Sequence, residues 1–163
     1  MAKFDLSRGF VAYELMLSQL SASTKDIAKE AVFEGAKIMA DAIREEIENI
    51  PEVEDNQHGT PDSLLYGITK EQKQGLLDGL GIAEMWDDFG KISTKIGIAG
   101  YNSIITAKYK KGQPNPLIAR SIISGTSFRK KYDFISKAIK KASEKAEEKM
   151  AEVIEQKIDE ITE

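Results

Sequence analysis

The chain has 163 residues, enough for one domain with a real core, and its 41% hydrophobic and 31% charged content is that of a soluble globular protein. It has no cysteine and a single histidine, His58, which excludes disulfides, thiolate chemistry and any His-rich metal site. The net charge of −4 gives no global attraction to nucleic acid, no run is long enough to span a membrane, and Met1–Leu15 lacks the apolar stretch of a signal peptide.

Residues 10–50 read as helical. Phe10, Tyr13, Leu17 and Leu20 share one side of a short amphipathic helix. Ser23, with Asp26 three residues on, then offers a capping box for a longer one. In it Ile27, Ala28, Ala31, Met39, Ala42, Ile43 and Ile47 follow the helical period, and Pro51 stops it. Residues 51–68 are acidic and polar, with Asn56, Gly59 and Pro61, and read as a surface loop.

Residues 69–109 hold a short helix and a hairpin. Thr69, with Gln72 at the capping-box position, starts a helix through Leu77; Gly75, Gly79 and Gly81 argue against a longer one. Ile82–Asp88 and Lys91–Ile98 flank Phe89-Gly90 as two β arms. In the second arm Ile92, Thr94, Ile96 and Ile98 alternate with polar residues, the period of a half-buried strand. Gly97 and Gly100 suggest a bulge or a close backbone approach.

Residues 115–163 read as two helices. Asn115 as cap and Pro116 at the first helical position open one, which Gly125 ends in left-handed C-cap geometry. Asp133 caps the last, whose stripe of Ile135, Ile139, Ala142, Ala146, Met150, Val153, Ile154, Ile158 and Ile161 runs nearly to the end. The expected fold is α+β in a single domain over 1–163: a small antiparallel sheet with a hairpin, packed by a long helix in the N-terminal half and a long C-terminal helix.

Charge is segregated. Between Lys108 and Lys145 cations face only Asp133 and Glu144; beyond Ala146 the balance turns acidic, with Glu147, Glu148, Glu152, Glu155, Asp159, Glu160 and Glu163. The basic start and acidic end of the last helix oppose its macrodipole, an order that suits neighbouring copies meeting basic end to acidic end. Lys108, Lys110, Lys111, Arg120, Arg129, Lys130 and Lys131, interleaved with Tyr109, Phe128 and Tyr132, are the candidates for contact with DNA or with neighbouring subunits. On composition alone a solvated lysine-rich face is the better reading of them.

Other motifs fail on context. Asp88-Phe89-Gly90 spells the kinase metal tripeptide but lacks every companion motif and reads as a hairpin turn. The glycines at 75, 79 and 81 do not have dinucleotide-site spacing, and Gly125-Thr126-Ser127 lacks the lysine of a P-loop. No catalytic residue, cofactor or metal ligand is expected, and His58 reads as an exposed loop residue.

Gly75-Leu-Leu-Asp-Gly-Leu-Gly-Ile-Ala83, Lys95-Ile-Gly-Ile-Ala-Gly-Tyr-Asn102, Lys111-Gly-Gln-Pro-Asn-Pro-Leu-Ile-Ala-Arg-Ser121 and Ser124-Gly-Thr-Ser-Phe-Arg-Lys-Lys131 follow one another in order. Together they resemble a phage family of minor tail or tail-completion proteins, the lambdoid "gene ten product" family. On that resemblance Gly79, Gly81, Gly97, Gly100, Tyr101, Asn102, Pro116, Gly125, Thr126 and Phe134 are the family-motif structural positions. The chain departs from the family in two places. Ile122-Ile123-Ser124 stands where a glutamate is usual, and Asp133-Phe-Ile-Ser-Lys-Ala138 replaces a proline-flanked segment. The resemblance implies a non-catalytic protein of the head–tail neck, made in the bacterial host cytoplasm and located in the virion at the head–tail junction or tail end. It implies a homo-oligomeric ring, hexameric or dodecameric, whose partners are other neck and tail proteins, with the packaged DNA as a non-specific contact. The alternative from the residues alone is a non-specific DNA-binding module using 108–131.

Overall fold

The computed structural model describes residues 23–162. The helix expected over Phe10–Leu20 lies outside them. The fold is α+β, with four helices and two short antiparallel ladders among the described residues.

Helix α1 spans Thr24–Glu48, and every residue of its expected stripe is buried. Its start differs from expectation. Ser23 has helical backbone angles (φ −80°, ψ −13°) and makes no side-chain cap. Pro51 follows the end of the helix, where the Asn49 N–H still reaches back to the carbonyls of Glu45 and Ile47. The last helix, α4, spans Phe134–Thr162 and runs antiparallel to α1, since Lys141 meets Glu45 at 2.6 Å while Lys157 meets Glu30 at 3.6 Å. Small residues let the two backbones approach: Ala31, Gly35, Ala36 and Ala42 on one side, Ala138, Ala142 and Ala146 on the other, all buried. A Cβ at Gly35 would lie 2.7 Å from Met150 Cγ. Each fully buried Ile or Met on this seam, such as Ile47 or Met39, contributes about 1.5–3 kcal/mol. The exposed ion pairs set direction more than stability.

This pairing gives the charge gradient of α4 a partner inside the chain. Its basic start faces the acidic end of α1, at Glu45 and Glu46, and its later turns reach Glu30 through Lys157. A second copy is not needed to balance Lys141.

Helix α2 spans Lys70–Gly79, with the Thr69–Gln72 capping box formed in both directions. It passes through Gly75 and runs two residues beyond the expected end. The chain then forms β1 (Leu80–Ile82), β2 (Trp86–Asp88), β3 (Lys91–Ser93) and β4 (Ile96–Ile98). β1 pairs with β4, Leu80 opposite Ile98, and β2 with β3, Trp86 opposite Ser93. Three residues separate β1 from β2 and two separate β3 from β4, so the long hairpin carries its bulge at Ala83–Met85. Gly97, one of two glycines expected at a bulge or a close backbone approach, sits in regular register with Gly81. Thr94 Oγ1 donates to Ala83 O at 2.7 Å across the irregularity, which keeps a buried hydroxyl satisfied. The hairpin lies against α1 through β1 and β3.

Helix α3 spans Asn115–Ser124. The expected cap is displaced by one residue: Pro114 occupies the cap position, no side chain caps the helix, and Asn115 is already helical. Gly125 ends it at φ 72° and ψ 168°, a glycine-only conformation distinct from the left-handed cap expected. Asp133 does cap α4, accepting from Ser136 N at 3.0 Å. No helix among the described residues is long and apolar enough to cross a membrane.

Candidate functional site

The seven basic candidates fall into three places. Lys108, Lys110 and Lys111 are exposed in the turn between β4 and α3, which closes through Tyr109 N to Thr106 Oγ1 (3.0 Å) and Gly112 N to Tyr109 O (3.2 Å). Arg120 is exposed on α3, beside a groove it shares with Asp133. Arg129, Lys130 and Lys131 lie in the connection from α3 to α4; the two lysines are exposed and Arg129 is buried.

Two of the three interleaved aromatics have a lysine beside the ring, while Phe128 is exposed. Lys108 sits 5.3 Å from the Tyr109 ring centre, Lys130 lies 4.7 Å over Tyr66, and Lys137 lies 4.0 Å over Tyr132. Tyr66 and Tyr132 contact each other with centroids 6.2 Å apart. A stacking platform for single-stranded bases needs open ring faces, and lysines stand over Tyr109, Tyr66 and Tyr132 but not over Phe128.

The motif positions converge elsewhere. Asn115, 2% exposed, donates through Nδ2 to Ala99 O at 2.8 Å, and its backbone N–H donates to Gly100 O at 2.9 Å. Three glycines make room for it. A Cβ at Gly75 would stand 2.5 Å from Asn115 Oδ1, and one at Gly79 would stand 2.9 Å from its Nδ2 and collide with Ala99 O. Gly100, at φ 79°, lies directly against it. Asn102 ties the next layer: its Oδ1 accepts from Ile104 N (2.9 Å) and Gln113 N (3.1 Å), and its Nδ2 donates to Gln113 Oε1 (3.2 Å). Tyr101 bridges to Pro114. Gly79, Gly100, Tyr101, Asn102 and Pro116 therefore surround a structural junction of α2, the end of the hairpin and the start of α3. Gly125 and Thr126 shape the turn before Arg129, whose carbonyl accepts from Thr126 N at 2.9 Å, and Phe134 is wholly buried. Gly81 and Gly97 stand apart from the junction as a cross-strand pair.

Beside the junction lies a cleft of about 560 Å³, bordered by Phe128, Arg129, Gln72, Gln113, His58 and the carboxylates Asp55 and Glu71. Three separate stretches of sequence build it, which is why no local motif announced it. Arg129 is 9% exposed, and its Nε and Nη1 meet no acceptor among the described residues. Burial pushes its guanidinium pKa below the usual value. Glu71 beside Asp55 raises the Asp55 carboxyl above its ordinary range. Ionising Asp55 in the fold is thus opposed, so its cost is absent at low pH and appears as pH rises through the carboxylate range. Asp55→Asn should raise the thermal midpoint at neutral pH and leave it unchanged in acid; an equal change at both would show that Glu71 does not act on it. Among the described residues no group of three or more His, Cys, Asp or Glu side chains is placed to hold a metal ion.

Comparison of the chain with protein-family models, with curated proteins and with solved structures gives no match.

Proposed function

We propose that this chain is a non-catalytic structural subunit of the neck of a tailed phage, forming a ring that acts in head–tail joining or tail completion. The resemblance supports this reading, and so does the structural role of most of the motif residues. The observation that carries it is the hairpin. Phe89 at its tip is fully exposed (105%) and holds φ at 52°, with Gly90 at 88°, the pattern of a type I′ turn. A bulky side chain in the left-handed region costs about 1–2 kcal/mol, and an aromatic ring left in water recovers none of it. The turn is nonetheless held rigid, since Asp87 accepts from Gly90 N at 2.8 Å and pairs with Lys25 at 2.5 Å.

The base of the same hairpin has a matching hollow. An apolar groove of about 300 Å³ runs over Gly81, Ile82, Gly97 and Ala99, with Lys95 at its lip. Gly81 needs neither positive φ nor space within the chain, because a Cβ there would meet nothing within 4 Å. Glycine in a strand under those conditions marks the close approach of something else. A knob at one end and a hollow at the other form a head-to-tail contact that repeats from copy to copy, and such contacts close into rings when the rotation permits. Asp88 at the tip and Lys95 at the hollow have complementary charge. Other copies, and then other neck and tail proteins, are the partners. Lys108, Lys110 and Lys111 remain as the groups for non-specific contact with packaged DNA.

Electron microscopy and native mass measurement of the purified protein test this. Rings are expected for the natural sequence, and folded monomers for Phe89→Ser and for Gly81→Leu. A protein that stays monomeric and joins neither heads nor tails would sink the proposal.

A further inference from the structure

The one buried cation among the described residues that lacks a counter-charge is Arg129, and this observation is independent of ring formation. Guanidinium stays charged in any protein environment. A charge out of water is held in place only by a partner of opposite sign or by a full set of acceptors. Arg129 has neither: Nε and Nη1 are buried without an acceptor among the described residues, and the neighbouring carboxylates Asp55 and Glu71 interact with one another instead. Beside it, Gln113 uses its Oε1 twice, accepting from Gln72 Nε2 at 2.9 Å and from Asn102 Nδ2 at 3.2 Å. That pins the amide and leaves its Nε2–H donors for another acceptor.

We propose that the cleft beneath Phe128 is a binding site for a carboxylate, which Arg129 neutralises and Gln113 Nε2 orients. A single carboxylate fits better than a nucleic-acid phosphate: guanidinium pairs with either anion, but a polyanion entering the cleft would carry its next charges past Asp55 and Glu71, which repel them. The carboxylate comes either from an Asp or Glu side chain of a neighbouring copy or from a small free acid, and the two sources separate by experiment.

Thermal unfolding of the full chain is followed in acetate, in inorganic phosphate and in chloride at matched ionic strength, over a range of protein concentrations. Acetate should raise the midpoint over chloride in a saturable way, and Arg129→Met should weaken that response about tenfold or more. The variant should unfold no earlier than the natural protein in chloride, because it removes an uncompensated buried charge. If a neighbouring copy supplies the carboxylate, the midpoint rises with protein concentration more steeply in the natural protein than in Arg129→Met, which keeps the hairpin contact. Should the variant fail to fold, the NMR shift of the Arg129 Nε–H in the natural protein during acetate titration gives the same answer. A stronger response to phosphate than to acetate overturns the carboxylate assignment. Overturning also follows if the natural protein responds neither to acetate nor to its own concentration, or if Arg129→Met responds equally.

Discussion

Phe134→Ala is expected to lower the free energy of unfolding by about 3–5 kcal/mol. Phe134 is the first residue of α4 and is 0% exposed. Its surroundings have little freedom to collapse. Asp133 caps the helix immediately before it, and Tyr132 N donates to Ile122 O at 2.8 Å, fastening the entry of α4 to the last turns of α3. Of the buried hydrophobic residues described, only Phe134 and Tyr132 are aromatic, and the rest are aliphatic apart from Met39 and Met150 on the α1–α4 seam. The cavity therefore persists, and its cost adds to the lost burial of the ring. Urea unfolding checks this, with the denaturant slope unchanged and the midpoint displaced. A loss below about 1 kcal/mol would mean that the α3–α4 corner relaxes, contrary to a rigid junction.

What the sequence disclosed follows from how locally each feature is determined. Helices α1 and α4 were legible because their apolar stripes are long and periodic, and Thr69 and Asp133 because a cap involves only residues within one turn. Ser23 and Asn115 carry the same cap chemistry and do not use it, since α1 begins without a side-chain cap and Asn115 is drawn away to Ala99 O. Gly75, Gly79 and Gly81 argued only against a helix running past Leu77; Gly75 lies inside α2, and Asn102 and Asn115, distant in sequence, occupy the space of its side chain. The hairpin arms were visible from alternation, and of the two readings offered for Gly97 and Gly100 the close backbone approach is met at Gly100, against Asn115, while the extra residue falls at Ala83–Met85. A glycine's reason for being in a strand depends on what approaches it, which no single strand reveals. Arg129 was grouped with Lys130 and Lys131 because adjacent cations look alike in sequence. Only the packing of residues 57–72 and 103–113 around it makes it the buried one.

Asn115→Asp should be as severe as the loss of Phe134, at about 3–5 kcal/mol near neutral pH, although it changes shape hardly at all. The Nδ2–H donor to Ala99 O disappears, and a carboxylate replaces an amide at a site 2% exposed and closed by Gly75, Gly79 and Gly100. Asn115 Oδ1 already lacks a donor among the described residues, so neither oxygen of the new group would find one there. The sign of the pH dependence follows from burial. Desolvation raises the folded-state pKa of the introduced group above its unfolded value. The penalty is thus absent below the ordinary carboxylate range and grows as pH rises through it to the raised folded value. In acid the protonated group can donate to Ala99 O as the amide does, and stability should approach that of the natural protein. Asn115→Ala separates the two contributions, since it loses the hydrogen bond without burying a charge and should show no such pH dependence. Equal loss for Asn115→Asp at acid and neutral pH would show that water reaches the junction, and the three glycines would then need an explanation other than close packing around Asn115.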